Sequence, residues 1–355
     1  MGMVEVLRSP FIDTGPVRSP AMSAPVTGAE GPHGSAPPAI AVLQNRTDRP
    51  FWSVMIPVYN CPENYLRGTL ESVLAQDPGA AEMQIEVLDN CSTEGNTEAI
   101  VREVGAGRVA YHRQTSNVGM VENFNDCIRR AQGHWVHILH GDDTVRTSFY
   151  SHLRQGIEAN PDVGAALCRT IYMDTDGQWM GIGELEARQS GVLDESFALK
   201  QLLEQRIQFV SIVVSRSTYE QLGGFRTTLS HCIDWDMWKR IAVRKSVFYD
   251  PEPLACYRLH AGAASSGLMR SGKNVADERR SIAISYEDLP RPLANGLSRA
   301  AKRAAGVRAA RRARTLWKEG ERAAAWRQAA EAVRCSLAPA VVARSIYFVL
   351  RTVIR

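Results

Sequence analysis

The sequence predicts an α/β fold: a mostly parallel central sheet flanked by helices, followed by a helical C-terminal extension. Three observations predict it. Between residues 53 and 139, short apolar runs alternate with stretches of helical spacing, the pattern of repeated strand–helix–strand units. Polar residues gather where those runs end, at Tyr59-Asn60, Asp89-Asn90 and Asp142-Asp143. Residues 298–335 are rich in Ala and Arg, a composition suited to helix. At 355 residues and 45% hydrophobic content, the chain can bury a sizeable core.

Each element follows from its local pattern. Ser53–Asn60 is an apolar run ending in a turn signal, as a buried strand of a parallel sheet would be. Leu66, Leu70, Val73 and Leu74 fall at helical spacing within 63–77. Gln84–Asp89 reads as a second strand, Thr97–Val104 as a helix and Arg108–His112 as a third strand. Val121–Ala131 is a helix that stops at Gly133, a helix-end residue type. Trp135–Leu139 is a fourth strand and runs into His140-Gly141-Asp142-Asp143. Further on, Val163–Met173 and Phe209–Val214 are strand-like, while 196–206 and 235–245 are helical. Open parallel sheets bind ligands beyond the carboxyl ends of their strands. The polar clusters at those ends therefore mark the candidate site.

The two chain ends differ from this body. Residues 1–48 hold 7 Pro and 5 Gly with little periodicity, which predicts a disordered leader that adds nothing to the fold. Residues 290–355 carry 15 Lys/Arg against 3 Asp/Glu, a net of +12 that leaves the rest of the +4 chain at −8. A basic end suits an anionic partner such as a membrane surface. Nucleic acid is disfavoured, because the basic residues lie among Ala without interleaved aromatics. The last segment mixes Val341, Val342, Ile346, Phe348, Leu350, Val353 and Ile354 with Arg344, Arg351 and Arg355. It is too short and too charged to span a bilayer. It can lie in an anionic interface or pack back on the domain. The seven cysteines are odd in number, irregularly spaced and without a CxxC, as free thiols of a reducing cytosol are. No apolar run reaches about 18 residues and no apolar leader opens the chain, so neither a transmembrane helix nor a secretory signal is expected. The expected location is the cytoplasm, with peripheral contact at the inner membrane face.

Four segments carry residues with chemistry. Asp142-Asp143 ends a strand, where two carboxylates can hold a hard cation and bond a ribose or sugar hydroxyl. Mg²⁺ or Mn²⁺ there would stabilise a leaving diphosphate. An acidic turn is the plainer alternative. Asp89, which opens Asp89-Asn90-Cys91-Ser92-Thr93, can accept bonds from a base or ribose, or simply cap the turn. Asp234 precedes a helix after the loop signal Leu222-Gly223-Gly224-Phe225, and a carboxylate there can serve as general base or as a cap. Asp236 would point elsewhere and pair with Arg240 at i+4. Tyr257-Arg258-Leu259-His260 offers an imidazole for a metal and a guanidinium for a diphosphate.

Taken in order, these segments resemble the inverting glycosyltransferases of family 2, with a GT-A fold, over about Trp52 to Ser265. Ser53–Asn60 looks like the opening strand and Gln76 ends the first helix, as is usual there. Asp89–Thr93, Asn117-Val118-Gly119, Asp142-Asp143, Gly223-Gly224-Phe225, Asp234-Trp235-Asp236 and Tyr257–His260 follow in family order. The resemblance implies a Rossmann-like GT-A domain over 49–270 and a basic helical extension over 271–355. It also implies site roles. Pro57, Tyr59, Asp89 and Asn117 would hold the nucleobase and ribose. Asp142 and Asp143 would divide sugar contact and metal ligation, with His260 completing the metal site. Arg258 would approach the diphosphate and Asp234 would deprotonate the acceptor hydroxyl.

Two departures stand out. The family's Asp-x-Asp-Asp is His140-Gly141-Asp142-Asp143 here, and its Glu-Asp is Ile233-Asp234. The implied partners are a nucleotide-diphosphate sugar donor and a glycan or lipid-linked acceptor. The rival readings are a sugar nucleotidyltransferase and a non-catalytic sugar- or membrane-binding relative. The first would open with a Gly-x-Gly-x-Arg loop, where this chain has Pro57-Val58-Tyr59-Asn60; the second would not need to retain Asp142, Asp143, Asp234 and His260.

Overall fold

The computed structural model describes residues 36–43, 48–260, 262, 264–286 and 291–353. Its first half alternates as the sequence predicts: β1 (Trp52–Val58), α1 (Glu63–Leu74), β2 (Met83–Asp89), α2 (Thr97–Gly105), β3 (Ala110–Arg113), α3 (Met120–Arg130) and β4 (Trp135–Ile138). Then come β5 (Thr144–Val145), α4 (Phe149–Ala159), β6 (Val163–Met173), β7 (Trp179–Ile182), β8 (Gly191–Val192) and α5 (Glu195–Leu203). A 3-10 turn at Phe209–Ser211 leads into β9 (Ile212–Ser215), followed by α6 (Arg216–Leu222), α7 (Ile233–Arg244) and β10 (Ser246–Arg258).

All ten strands join one sheet, ordered β3-β2-β1-β4-β9-β6-β10-β5, with β7 added to β6 and β8 to β10. β1 pairs in parallel with β2 and β4, β2 with β3, and β6 with β10. β9 runs antiparallel between β4 and β6, so the parallel halves on either side of it share one direction. Their carboxyl ends therefore open on a single edge.

Helices cover both faces. On one, Leu66, Leu70 and Val73 of α1 and Phe149, Leu153 and Ile157 of α4 pack on Val54, Ile56 and Val87. On the other, Phe124 and Ile128 of α3 and Met237, Trp238 and Ile241 of α7 pack on Met55, Leu88 and Ile138. Every residue of β1 is buried, which explains its unbroken apolar run.

Five further helices follow: α8 (Ala264–Ser271), α9 (Lys273–Ser285), α10 (Arg291–Lys318), α11 (Arg322–Cys335) and α12 (Pro339–Val353). The single helical stretch expected at 298–335 is thus two helices, broken at Gly320, whose φ of 84° suits glycine. Ala301, Ala305, Ala309 and Ala313 form a fully buried stripe on α10 that lets α11 approach closely through Ala325 and Ala332. This extension is no loose appendage. Leu202 of α5 and Trp235 of α7 share a core with Val275, Ile282 and Tyr286. Buried Glu278 of α9 pairs with Arg308 and Arg312 of α10; burial opposes its charge, yet the two guanidinium groups pull its pKa down to about 2.

The leader also departs from expectation. Residues 1–35 and 44–47 lie outside the described residues, but 36–43 pack on the domain. Ile40 is buried in the core, Gly224 N donates to the Pro38 carbonyl at 2.8 Å, and Arg216 donates to the Ala41 carbonyl.

Candidate functional site

A pairing that sequence patterns did not reveal builds the site. β5 runs antiparallel to the end of β10, with Thr144 opposite Cys256 and Val145 opposite Ala255. Asp142-Asp143 immediately precedes β5, so the register lays it against Arg258. Arg258 N donates to Asp143 Oδ1 at 2.8 Å and its Nε donates to the Asp142 carbonyl at 2.9 Å. His260 Nε2 lies 2.9 Å from Asp142 Oδ2. From below, the Thr69 hydroxyl of α1 donates to the Asp143 carbonyl at 2.7 Å. Gly141 is required for this approach: a Cβ there would sit 2.7 Å from Val58 Cγ1 and 3.3 Å from Cys61 Sγ.

The donor set fits a divalent cation. His140, Asp142 and Asp143 each offer a ligand atom, and these atoms lie within 4.8 Å of one another. Asp143 Oδ2 is buried without a hydrogen-bond partner, 4.0 Å from His140 Nδ1, a costly state that a bound cation relieves. The electrostatics agree. Burial and the adjacent Asp142 charge push the Asp143 carboxyl well above its usual range. Burial alone would raise the Asp142 carboxyl, but its hydrogen bond with His260 and the neighbouring imidazoles hold it below its usual range. Burial holds His140 low, so its ring favours the neutral, ligating form.

The third member of the compact set is His140, which stacks on Phe124, while His260 lies outside that set and bonds Asp142. His140 was legible only as a departure from the family pattern.

On the other side of the edge, β1 and β2 end in residues with left-handed backbone, Asn60 (φ 48°) and Cys91 (φ 61°). The two turns are zipped together. Asn60 Oδ1 accepts from Thr93 N and Glu94 N, and Asn60 N donates to Ser92 Oγ. Asn117 Oδ1 accepts from Asn90 Nδ2 at 3.0 Å and from Gly119 N, which joins the Asn-Val-Gly loop to the same edge.

Tyr59 stands 48% exposed on this rim, and Asn117 is exposed. Asp89 is fully buried, and its oxygens accept from Ser92 N, the Tyr111 hydroxyl and Arg113, so it caps the turn that opens at the end of β2. Pro57 is likewise buried inside β1, and so forms wall and not rim. Arg258 also spends its guanidinium on carbonyls, those of Asp142, Asp174 and Thr175, while stacking over Tyr65.

Asp234 sits in the first turn of α7, half-buried. Gln205 Nε2 donates to its Oδ2 and Trp235 N to its Oδ1. Burial raises its pKa to about 6, only partly offset by these bonds. Burial raises the Tyr257 phenol, and the charges of Asp143, Asp142 and Asp234 each add to the rise. Asp236 behaves as expected for a structural ion: fully buried, it pairs with Arg240 at 3.0 Å and with Arg226 at 3.3 Å. The Gly-Gly-Phe loop is explained by packing. A Cβ on Gly224 would lie 2.4 Å from Asn125 Oδ1, the atom that accepts from Phe225 N.

Comparison with known proteins agrees with this geometry. The sequence profile of Glycosyl transferase family 2 matches residues 53–215. An uncharacterized protein of Mycobacterium tuberculosis is 26% identical over 252 residues, covering 68% of this chain and 77% of its own. The O-antigen biosynthesis protein RfbC of Myxococcus xanthus is 25% identical over 71% of this chain and 19% of its own. A mannosyltransferase from Pyrobaculum calidifontis, solved in complex with GDP-Man and Mn²⁺, superposes with a TM-score of 0.55 at 18% identity, over 90% of this chain and 84% of that one. The fold, the ordered motifs and these relatives lead to one statement: residues 53–215 match the glycosyltransferase domain of family 2, and the chain has a GT-A fold.

Proposed function

We propose that this enzyme is an inverting glycosyltransferase that moves a sugar from a nucleotide-diphosphate sugar to an acceptor hydroxyl. The observation that carries the proposal is the placement of Asp234. It is a half-buried carboxylate in the first turn of α7, held by Gln205 Nε2 and Trp235 N, with a pKa raised to about 6 by burial. Asp234 accepts the hydroxyl proton as the acceptor oxygen bonds the anomeric carbon. The bond to the diphosphate breaks on the opposite side, its electron pair leaves with the diphosphate, and the configuration inverts.

Asp142 and Asp143, with His140 and His260 beside them, would hold Mg²⁺ or Mn²⁺, which when bound neutralises charge on the leaving diphosphate. Tyr59 and Asn117 would meet the nucleotide at the rim; Pro57 and Asp89 would shape the wall and loop behind it. Arg258 keeps the Asp142-Asp143 turn in register with β10 and faces the diphosphate side.

The likeness to an O-antigen biosynthesis protein supports a glycan or lipid-linked acceptor in cell-surface polysaccharide or glycolipid assembly. The basic extension supports cytoplasmic work against an anionic membrane face. The test is calorimetric titration with UDP, GDP and dTDP, with and without Mn²⁺, on wild type and Asp143→Ala. Mn²⁺-dependent binding of one diphosphate, weakened at least tenfold in the variant, is the expected outcome. No binding of any of the three by folded wild-type protein would overturn the donor-site reading.

A further inference from the structure

The helix that carries Asp234 does not cap itself. Cys232 occupies the cap position of α7 and its side chain makes no capping bond. The cap comes from another element. Asp277 of α9, 5% exposed, aims one carboxylate oxygen at three successive backbone amides: Ser230 N at 3.1 Å, His231 N at 2.7 Å and Cys232 N at 2.9 Å. Consecutive amides at the amino end of a helix form an anion-binding concavity, here filled from within the protein.

One helical turn further along α9, Ser281 accepts from Lys239 Nζ, at 2.8 Å with its hydroxyl and 3.2 Å with its carbonyl. Residues i and i+4 share one helix face. That face of α9 therefore grips α7 at both ends of a segment that contains Asp234. Between the grips, Trp235 is 1% exposed and its indole donates to the Gln201 carbonyl at 2.6 Å.

We propose that Asp277 is a positioning residue for the reaction: it fixes the amino end of α7 and thereby aims Asp234 at the acceptor hydroxyl. The inference rests on reading Asp234 as the base. It makes the first helices of the C-terminal extension a working part of the transferase site. Misplacing a reacting group by about 1 Å costs on the order of 100-fold in rate, so a cap at this point governs turnover as well as stability. The ionisable groups around Asp234 are Cys232 and Lys239 on its own segment and Tyr257 on β10; Asp277 and Glu278 of α9 act on Cys232 beside it.

The test uses full-length Asp277→Ala, Asp277→Asn and Asp234→Asn. Donor hydrolysis is followed with UDP-glucose, GDP-mannose and dTDP-glucose across pH 4.5 to 9, and diphosphate binding is measured by calorimetry. For Asp277→Ala, kcat should fall about 30- to 100-fold while diphosphate affinity stays within about twofold. The acidic limb of its pH profile should move at least about one unit below the wild-type value, because a displaced Asp234 loses the burial that raises it.

Asp277→Asn keeps one carbonyl oxygen for the amides and should recover most of kcat. If Asp277→Ala leaves kcat and the acidic limb as in wild type, the inference fails. It also fails if kcat and diphosphate affinity drop together and Asp277→Asn restores neither. Should Asp277→Ala not fold, Asp277→Asn decides: kcat within about tenfold of wild type upholds the inference, and a loss as complete as that of Asp234→Asn overturns it. Turnover retained by Asp234→Asn removes the base reading instead, whatever Asp277 does, and no hydrolysis of any donor by wild type removes both.

Discussion

Asp234 is half-buried, with Gln205 Nε2 on one oxygen and Trp235 N on the other. Burial disfavours the charged carboxylate, and the pKa rises to about 6. A general base must be ionised to act. Turnover should therefore fall about tenfold per unit as pH drops below about 6, and level off above it. The check is a pH–kcat profile, in which a plateau extending down to pH 4 would exclude this carboxylate as base. Asp234→Asn should lower kcat by about 10²- to 10⁴-fold with diphosphate affinity unchanged. The pairing of Asp236 with Arg240 was legible as an i, i+4 spacing. The capture of His140 by the metal cluster was not, because ring stacking on Phe124 and the contact with Asp143 exist only after folding.

Elements place these residues, and close backbone approach is what they depend on. Gly141, in the loop after β4, lies against Val58 at the end of β1 and Cys61 beyond it, with no room for a side chain. Gly141→Ala should push the Asp142-Asp143 turn off Val58. The expected cost is about 1–3 kcal/mol of stability by thermal denaturation. Mn²⁺-dependent diphosphate binding should weaken at least tenfold; unchanged binding would show that the turn tolerates the shift. The short strand β5 and the long strand β10 escaped the sequence reading for physical reasons. Two residues are too few for a period, and β10 carries Asp250-Pro-Glu-Pro inside it, a turn-like string absorbed as irregularities against β6. Yet these two strands bring Arg258 and His260 to the aspartates.

At the scale of the molecule, the basic extension both packs and presents a surface. α12 turns Val341 and Phe348 inward, the latter against Trp317 and Trp326, and leaves Arg344, Ile346 and Tyr347 outward. Side chains from 349 onward lie outside the described residues. Among the described residues no helix is long and apolar enough to cross a membrane. An outward face of this kind suits an anionic lipid surface. Full-length protein should float with vesicles containing phosphatidylglycerol, less so at high salt. The double variant Ile346→Ser/Tyr347→Ser should lower the bound fraction about tenfold while retaining the fold. Equal flotation of the variant would assign the attraction to the arginines alone, and wild type that stays at the bottom of the gradient would remove the membrane role.

The sequence by itself determined the alternation of strands and helices from β1 to β4, the sheet edge where the polar residues collect, and the order of motifs from Tyr59 to His260. These are local properties, set by hydrophobic period, turn chemistry and the ends of apolar runs. Only the tertiary structure decided which polar residues meet. It closed the oxygens of Asp89 on Tyr111 and Arg113, brought His140 beside Asp142 and Asp143 in a compact cluster, packed residues 36–43 onto the Gly-Gly-Phe loop, and made Asp277 the cap of a helix that begins 44 residues earlier, at Ile233. The reason is the same in each case. Contacts between distant segments depend on strand register and helix packing, and neither leaves a periodic trace in the chain.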